Sequence, residues 1–132
     1  MKKLLILLVV LIFVGIVTIP FWTGKMAEKA FENIDDPKAP VAAKEALKMK
    51  MRIDDYAGAR KIAEKAYIYF SDNKENMPFY IYNAAVCGNK QNKPEIAIFW
   101  YERFLAEYPG HMWEAQAKAD MQKIKEMSGT AK

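Results

Sequence analysis

The sequence predicts an all-α chain, one apolar N-terminal helix followed by a short row of helix-turn-helix hairpins. Three observations lead there. Leu4–Trp22 is almost wholly apolar, and no charge occurs between Lys3 and Lys25. Beyond Pro40 every segment has helical periodicity, while alternating runs and Asn-Gly hairpin turns are absent. Two segments, Asp55–Phe70 and Pro94–Pro109, share one pattern: Ala59, Ala63 and Ala66 in the first, Ala97, Tyr101 and Phe104 in the second, at helical spacing. Hairpins of this kind cannot bury their apolar faces alone, so they stack.

The first element is the apolar segment. As a helix rising ~1.5 Å per residue, the 21 uncharged residues from Leu4 to Gly24 span about 30 Å, enough to cross the hydrocarbon core of a bilayer. Phe21 and Trp22 fall where an aromatic interface belt sits, and Pro20 is tolerable so near the end. A cleaved signal peptide has an apolar region of about 7–15 residues closed by a small-x-small site. Here the run is longer, no Ala-x-Ala closes it, and no cysteine stands near it for a lipid anchor. Residues 1–24 therefore read as an uncleaved, single-pass signal anchor that meets the lipid bilayer through residues 4–22. Lys2, Lys3 and the amino terminus argue for a cytoplasmic N-terminus, against the softening effect of Lys25, Lys29 and Lys38 on the other flank. The expectation is an inner (cytoplasmic) membrane protein whose globular part is periplasmic, or extracytoplasmic more generally.

Residues 25–39 read as an amphipathic segment and linker. Met26, Ala27, Ala30 and Phe31 share one side of Lys25–Glu32, and Asn33–Pro40 carries two prolines and two adjacent acids that break helix propagation. Residues 40–127 form the helical domain. Its first helix is Val41–Ile53, with Asp54-Asp55 as turn and cap for the next, Tyr56–Phe70. Ser71–Asn76 is a polar loop, and Pro78 suits the first turn of a third helix running to about Asn89. Lys90–Lys93 turns the chain, Pro94 starts a fourth helix and Pro109-Gly110 ends it. A last helix, about Met112–Met127, puts Trp113, Ala117, Met121 and Ile124 on one face, and residues 128–132 are a tail.

Charge and cysteine usage exclude several function classes. Residues 23–132 carry 18 basic and 16 acidic groups, too balanced for nucleic-acid binding, and no zinc-finger or RNP-like pattern supports it. Cys87 is the only cysteine, so neither an intrachain disulfide nor a Cys-rich metal site can form, and its apolar helical setting beside Val86 reads as a small buried side chain. No Gly-rich phosphate loop, His-Glu-x-x-His or nucleophile elbow occurs. His111, the only histidine, follows Pro109-Gly110 at a helix start and reads as a loop or capping residue. Asp35-Asp36 and Asp54-Asp55 occupy turns before helices, where acids complement the helix dipole. No catalytic residue, metal ligand, cofactor or small-molecule substrate is expected, and the chain is not read as an enzyme.

The repeated pattern resembles the tetratricopeptide repeat family, stacked helical hairpins of about 34 residues. In a first repeat, Pro40–Asn73, the resemblance lies in Asp55-Tyr56-Ala57-Gly58-Ala59, then Ala63, then Ala66-Tyr67. In a second, about Pro78–Gly110, it lies in Ala84-Ala85, then Ala97, Tyr101 and Leu105, with Pro109 as the closing proline. Phe104-Leu105-Ala106-Glu107-Tyr108-Pro109 is similar to repeat endings in bacterial envelope proteins. The resemblance implies a solenoid of two repeats plus a capping helix. Helix A of the first repeat lacks the family's Trp and Gly, Gly88 replaces an aromatic in the second, and the 38-residue step from Ala59 to Ala97 implies an insertion near Ser71–Met77. A plain bundle of five helices is the alternative arrangement.

In this family the first helix of each hairpin lines a binding groove. Lys44, Lys48 and Arg52 follow at i, i+4 and i+8, one basic stripe, and Phe79, Tyr82, Asn83, Val86 and Lys90 fall on the corresponding face of the next hairpin. Such a groove suits a protein segment with acidic and apolar residues. The competing reading is a solvated face balanced by Glu45 and Asp54, with Phe79 and Tyr82 in the core. Phe99-Trp100-Tyr101 leaves at least one large ring pointing away from the repeat core. The functional expectation is a membrane-anchored protein-interaction module, an accessory subunit or assembly factor of a larger envelope complex. The alternative is a structural subunit whose transmembrane helix makes the key contacts.

Overall fold

In a computed structural model, residues 1–129 are described, the side chains of residues 19 and 20 excepted; the expected tail at 130–132 lies outside them. Among the described residues there are six α-helices and no strand: α1 (Lys2–Glu32), α2 (Ala39–Arg52), α3 (Tyr56–Tyr69), α4 (Met77–Lys90), α5 (Pro94–Glu107) and α6 (Glu114–Ser128). Each helix packs on its neighbours in sequence, with only slight contact between α1 and α3 and between α2 and α4. The helices therefore form a row in which α2, α4 and α6 alternate with α1, α3 and α5.

A structural repeat is explicit in the boundaries. α2 and α4 begin at residues 39 and 77, and α3 and α5 at 56 and 94, so both pairs are offset by 38 residues, and all four helices have 14 residues. The turns inside the two hairpins match bond for bond. Asp55 N–H donates to the Lys50 carbonyl (2.9 Å) and Asp54 N–H to Met51 (3.1 Å), as Lys93 does to Gly88 (3.0 Å) and Asn92 to Asn89 (3.0 Å). The middle residue of each turn, Asp54 or Asn92, has φ 58°, a left-handed conformation that Asp and Asn tolerate because their short polar side chains bond locally. Asp55 caps α3 by accepting from Gly58 N–H (2.9 Å).

The packing positions follow one spacing. Ala59, Ala63 and Ala66 of α3 and Ala97, Tyr101 and Phe104 of α5 are buried, as their i, i+4, i+7 pattern predicts. The same spacing recurs in α1, where Thr23, Ala27 and Ala30 are buried. The sequence reading placed a linker at 25–39 and began the helical domain at residue 40; the packed unit instead starts at Thr23. α1 runs unbroken through the polar Thr23-Gly24-Lys25, and its last turns lie against α2 and α3. Phe31 stacks on Phe70 with ring centroids 5.5 Å apart, and the Lys65 ammonium stands 5.5 Å from the Phe31 ring. Residues 33–38 are a tight reversal, fastened by Asp36 accepting from Lys38 N–H (2.9 Å), so α2 folds straight back along α1. α2 starts at Ala39, two residues earlier than expected, because Pro40 fits its first turn. α6 starts at Glu114, two residues later than expected, after a turn in which His111 Nδ1 accepts from Trp113 N–H (3.1 Å).

The first part of α1 is different in kind. From Leu4 to Val17 its large apolar side chains are all more than half exposed, and Phe21 and Trp22 are exposed as well. This helix is long and apolar enough to cross a membrane.

A candidate interaction face on alternate helices

Contacts between side chains link α2, α4 and α6 into one face. Lys44 and Lys48 lie one turn apart on α2, and their ammonium groups stand 5.0 and 5.9 Å from the ring of Phe79 on α4. Lys44 also donates to Asn76 Oδ1 (3.2 Å), at the start of α4, and Lys48 pairs with Glu45 (2.9 Å). The hydrogen bond from Lys48 holds the Glu45 carboxyl below its ordinary pKa; burial opposes it, and the charges of Lys48, Lys44 and Arg52 add to the lowering. The expected balancing acid Asp54 does not take part: it accepts instead from the Tyr56 hydroxyl (2.9 Å).

One helix further on, Tyr82 connects α4 to α6. Its ring packs against Tyr101, Phe104 and Trp113 at 5.8, 5.6 and 5.0 Å between centroids. The hydroxyls of Tyr82 and Tyr101 each lie 3.4 Å from the same Asp120 oxygen, a long approach for a hydrogen bond. Burial raises the Tyr82 pKa, and Asp120 adds to the shift. Asn83 is buried and donates its amide to the Phe79 carbonyl (2.8 Å), which holds the helix backbone rather than reaching outward. Val86 is half-buried one turn below Tyr82.

The predicted set therefore divides. Lys44, Lys48, Phe79 and Tyr82 meet neighbours across α2, α4 and α6, with Phe79 and Tyr82 both half-buried. Tyr82 is as much a core residue as a surface one. Arg52 and Lys90 end α2 and α4, exposed and a turn or more beyond the cluster. Sequence reasoning did not identify Asn76, Trp113 and Asp120 as parts of this face; only Trp113 had an apolar-face signal, and that assigned it to the capping helix.

On the opposite side, Phe99 is the ring of the Phe99-Trp100-Tyr101 run that points outward. It is 50% exposed, with the Arg103 guanidinium 5.4 Å from its centre. Trp100 is buried and donates to Glu64 (3.2 Å). Among the described residues no group of three His, Cys, Asp or Glu side chains is placed to hold a metal ion. Cys87 is fully buried, and burial pushes its thiol up to about 12.

No family model, no curated protein and no solved structure matches this chain.

Proposed function

We propose that the chain is a single-pass, membrane-anchored interaction module of tetratricopeptide-like hairpins that docks another protein at the bilayer surface. The observation that supports this reading is the row of half-exposed cations and aromatics on α2 and α4, positioned by Glu45 and Asn76 and, from α6, by Asp120. Pre-positioned cations steer an acidic partner, while the aromatic rings supply contact area at low conformational cost. Two hairpins and a terminal helix make a small array, which fits an accessory subunit or assembly factor within a larger envelope complex. Lys2 and Lys3 support a cytoplasmic amino terminus with the helical stack on the outer side, which in a Gram-negative cell is the periplasm.

The test is purification of the intact chain in mild detergent, with identification of the proteins that come with it. Reversing Lys44 and Lys48 to Glu should weaken that capture, and unchanged capture would sink the groove. Scrambling Leu4–Trp22 at constant hydrophobicity separates the alternative: association lost only in the scrambled chain assigns recognition to the transmembrane helix.

A further inference from the structure

The helical stack is electrically polarised along its helices. α1 climbs away from the apolar segment, α2 returns, and the same alternation repeats through α6. The turns at 53–55 and 91–93 and the end of α6 therefore share the end at which α1 enters the stack. Cut midway along its helices, the stack has an anchor-side half (residues 23–27, 46–62, 84–100 and 121–129) with ten Lys and Arg against four Asp and Glu. The far half (residues 28–45, 63–83 and 101–120) has seven against twelve. A nearly neutral domain thus separates into one end of net charge +6 and one of −5.

The geometry brings the positive end down to the level where α1 leaves its apolar segment. No spacer separates Trp22 from the stack, because Thr23 is already fully buried. α2 has 14 residues, about 21 Å of helix, and runs back along the ten residues of α1 from Thr23 to Glu32, about 15 Å. By these lengths its last turn, which ends at Arg52, passes the level of Thr23 and reaches the end of the apolar segment. Arg52, Lys90, Lys93 and Lys123 are exposed and form no ion pair among the described residues. Lys25, the first charge after the apolar run, stands 4.5 Å from the Phe21 ring. Ile53, in the turn after Arg52, adds an exposed apolar side chain at the same end.

We propose that this end of the stack rests on the anionic headgroup surface of the bilayer from which α1 emerges, an inference that depends on α1 spanning the membrane. An anionic leaflet attracts cations within about a Debye length, ~8 Å at physiological salt. Each Lys or Arg held there shifts the contact equilibrium roughly fivefold. The negative far end lies beyond that range and would be repelled only if it tilted down to the surface, so the field favours this orientation and leaves the Lys44–Phe79 face open at the side. An acidic protein is the other partner that such an end attracts; the lipid surface is favoured because the anchor itself sets the distance.

The test uses the full chain in vesicles of phosphatidylcholine with or without anionic phosphatidylglycerol, containing lipids with a nitroxide on the headgroup. A fluorophore on Ala57→Cys reports the anchor-side end and one on Ser71→Cys the far end; both sites are exposed, and buried Cys87 stays unlabelled. Quenching at position 57 should rise with phosphatidylglycerol, fall in high salt, and fall again in R52E/K90E/K93E, with position 71 little changed. Circular dichroism of the triple variant verifies its fold, and R52Q/K90Q/K93Q should give an intermediate loss. Quenching at 57 that ignores lipid charge, salt and charge reversal overturns the inference alone. Extraction of the chain from vesicles by alkaline carbonate overturns the membrane reading and this inference with it.

Discussion

Gly88 lies directly against the backbone of Ala97: a Cβ at position 88 would stand 3.0 Å from the Ala97 nitrogen and 3.2 Å from Ile96 Cγ2. α4 and α5 touch backbone to backbone here, with only Ile96 Cγ2 alongside and no side chain on the α4 side. Ala97 cannot readily move, since its own N–H is bonded to the Lys93 carbonyl (3.1 Å) in the first turn of α5. Replacing Gly88 by Ala adds about 1 kcal/mol of helix propensity but overpacks the contact by ~1–3 kcal/mol. Gly88→Ala should therefore lower stability by about 1 kcal/mol, and Gly88→Val by more, read from the denaturant midpoint of the detergent-solubilised chain. A more stable Ala variant would contradict the close approach.

Tyr80 ties the two hairpins together. Its ring is fully buried, and its hydroxyl donates to the Pro40 carbonyl across the α2–α4 contact. Burial accordingly drives its pKa up from the ordinary phenol value. Tyr80→Phe keeps the ring and removes this bond between helices, while the Pro40 carbonyl stays within the α2 ladder, so the loss should be about 0.5–1.5 kcal/mol. Tyr108→Phe, half-exposed and outside this contact, is the control expected to change little; equal losses in both would remove Tyr80 from this role.

What was legible in the sequence, and what was not, divides along physical lines. Ala59, Ala63, Ala66, Ala97, Tyr101 and Phe104 were readable because small and aromatic residues at i, i+4, i+7 mark one face of a helix wherever they occur. The caps were readable because Asp55, Pro78 and Pro94 carry local backbone chemistry. Thr23, Ala27 and Ala30 have the same spacing, but Thr23-Gly24-Lys25 reads as the edge of an apolar run, and that signal masked the helix continuing into the stack. The candidate face was half legible: spacing put Lys44 and Lys48 in line, but only the fold brings Phe79 to Lys44 and Asp120 to Tyr82. Arg52 and Lys90 share the spacing yet end their helices, so helix length removed them from the cluster.

The burial of Thr23, Ala27 and Ala30 implies that the end of α1 belongs to the folded unit. A fragment of residues 23–129 should unfold cooperatively, whereas 39–129 should be markedly less stable, with Ala39, Ala43 and Phe70 uncovered. Phe31→Ala tests the same contact in the intact chain. Its stacking on Phe70 contributes about 0.5–1.5 kcal/mol beyond area burial, so a loss of ~1–3 kcal/mol is expected. Two fragments of equal stability would show that α1 only tethers the stack.

Cys87 supplies a direct readout of opening. The thiolate is the reactive form, and burial holds the folded thiol near 12, so alkylation at about pH 8 should be far slower than for a free thiol. Denaturant should release it in step with loss of helical signal. Rapid labelling of the folded chain would contradict the burial.

The acid limb of stability should depend on Asp55. Its carboxyl accepts from Lys50 Nζ (2.8 Å) and Gly58 N–H (2.9 Å). The Lys50 hydrogen bond is the largest influence lowering its pKa, burial opposes it, and the Gly58 amide adds to it. With the folded pKa below the unfolded value of about 3.9, the stabilisation is fully present above that value and fades as pH falls through the folded pKa. Asp55→Asn keeps an acceptor for the Gly58 amide but removes the charge. It should be less stable than the native chain at neutral pH and converge with it once the pH falls below the folded pKa of Asp55, where the native carboxyl is protonated too. Asp55→Ala removes the cap as well, at a further cost of about 1 kcal/mol that persists at low pH. Thermal unfolding of all three across that range decides it: a constant gap between Asp and Asn would mean that the Lys50 pair contributes nothing.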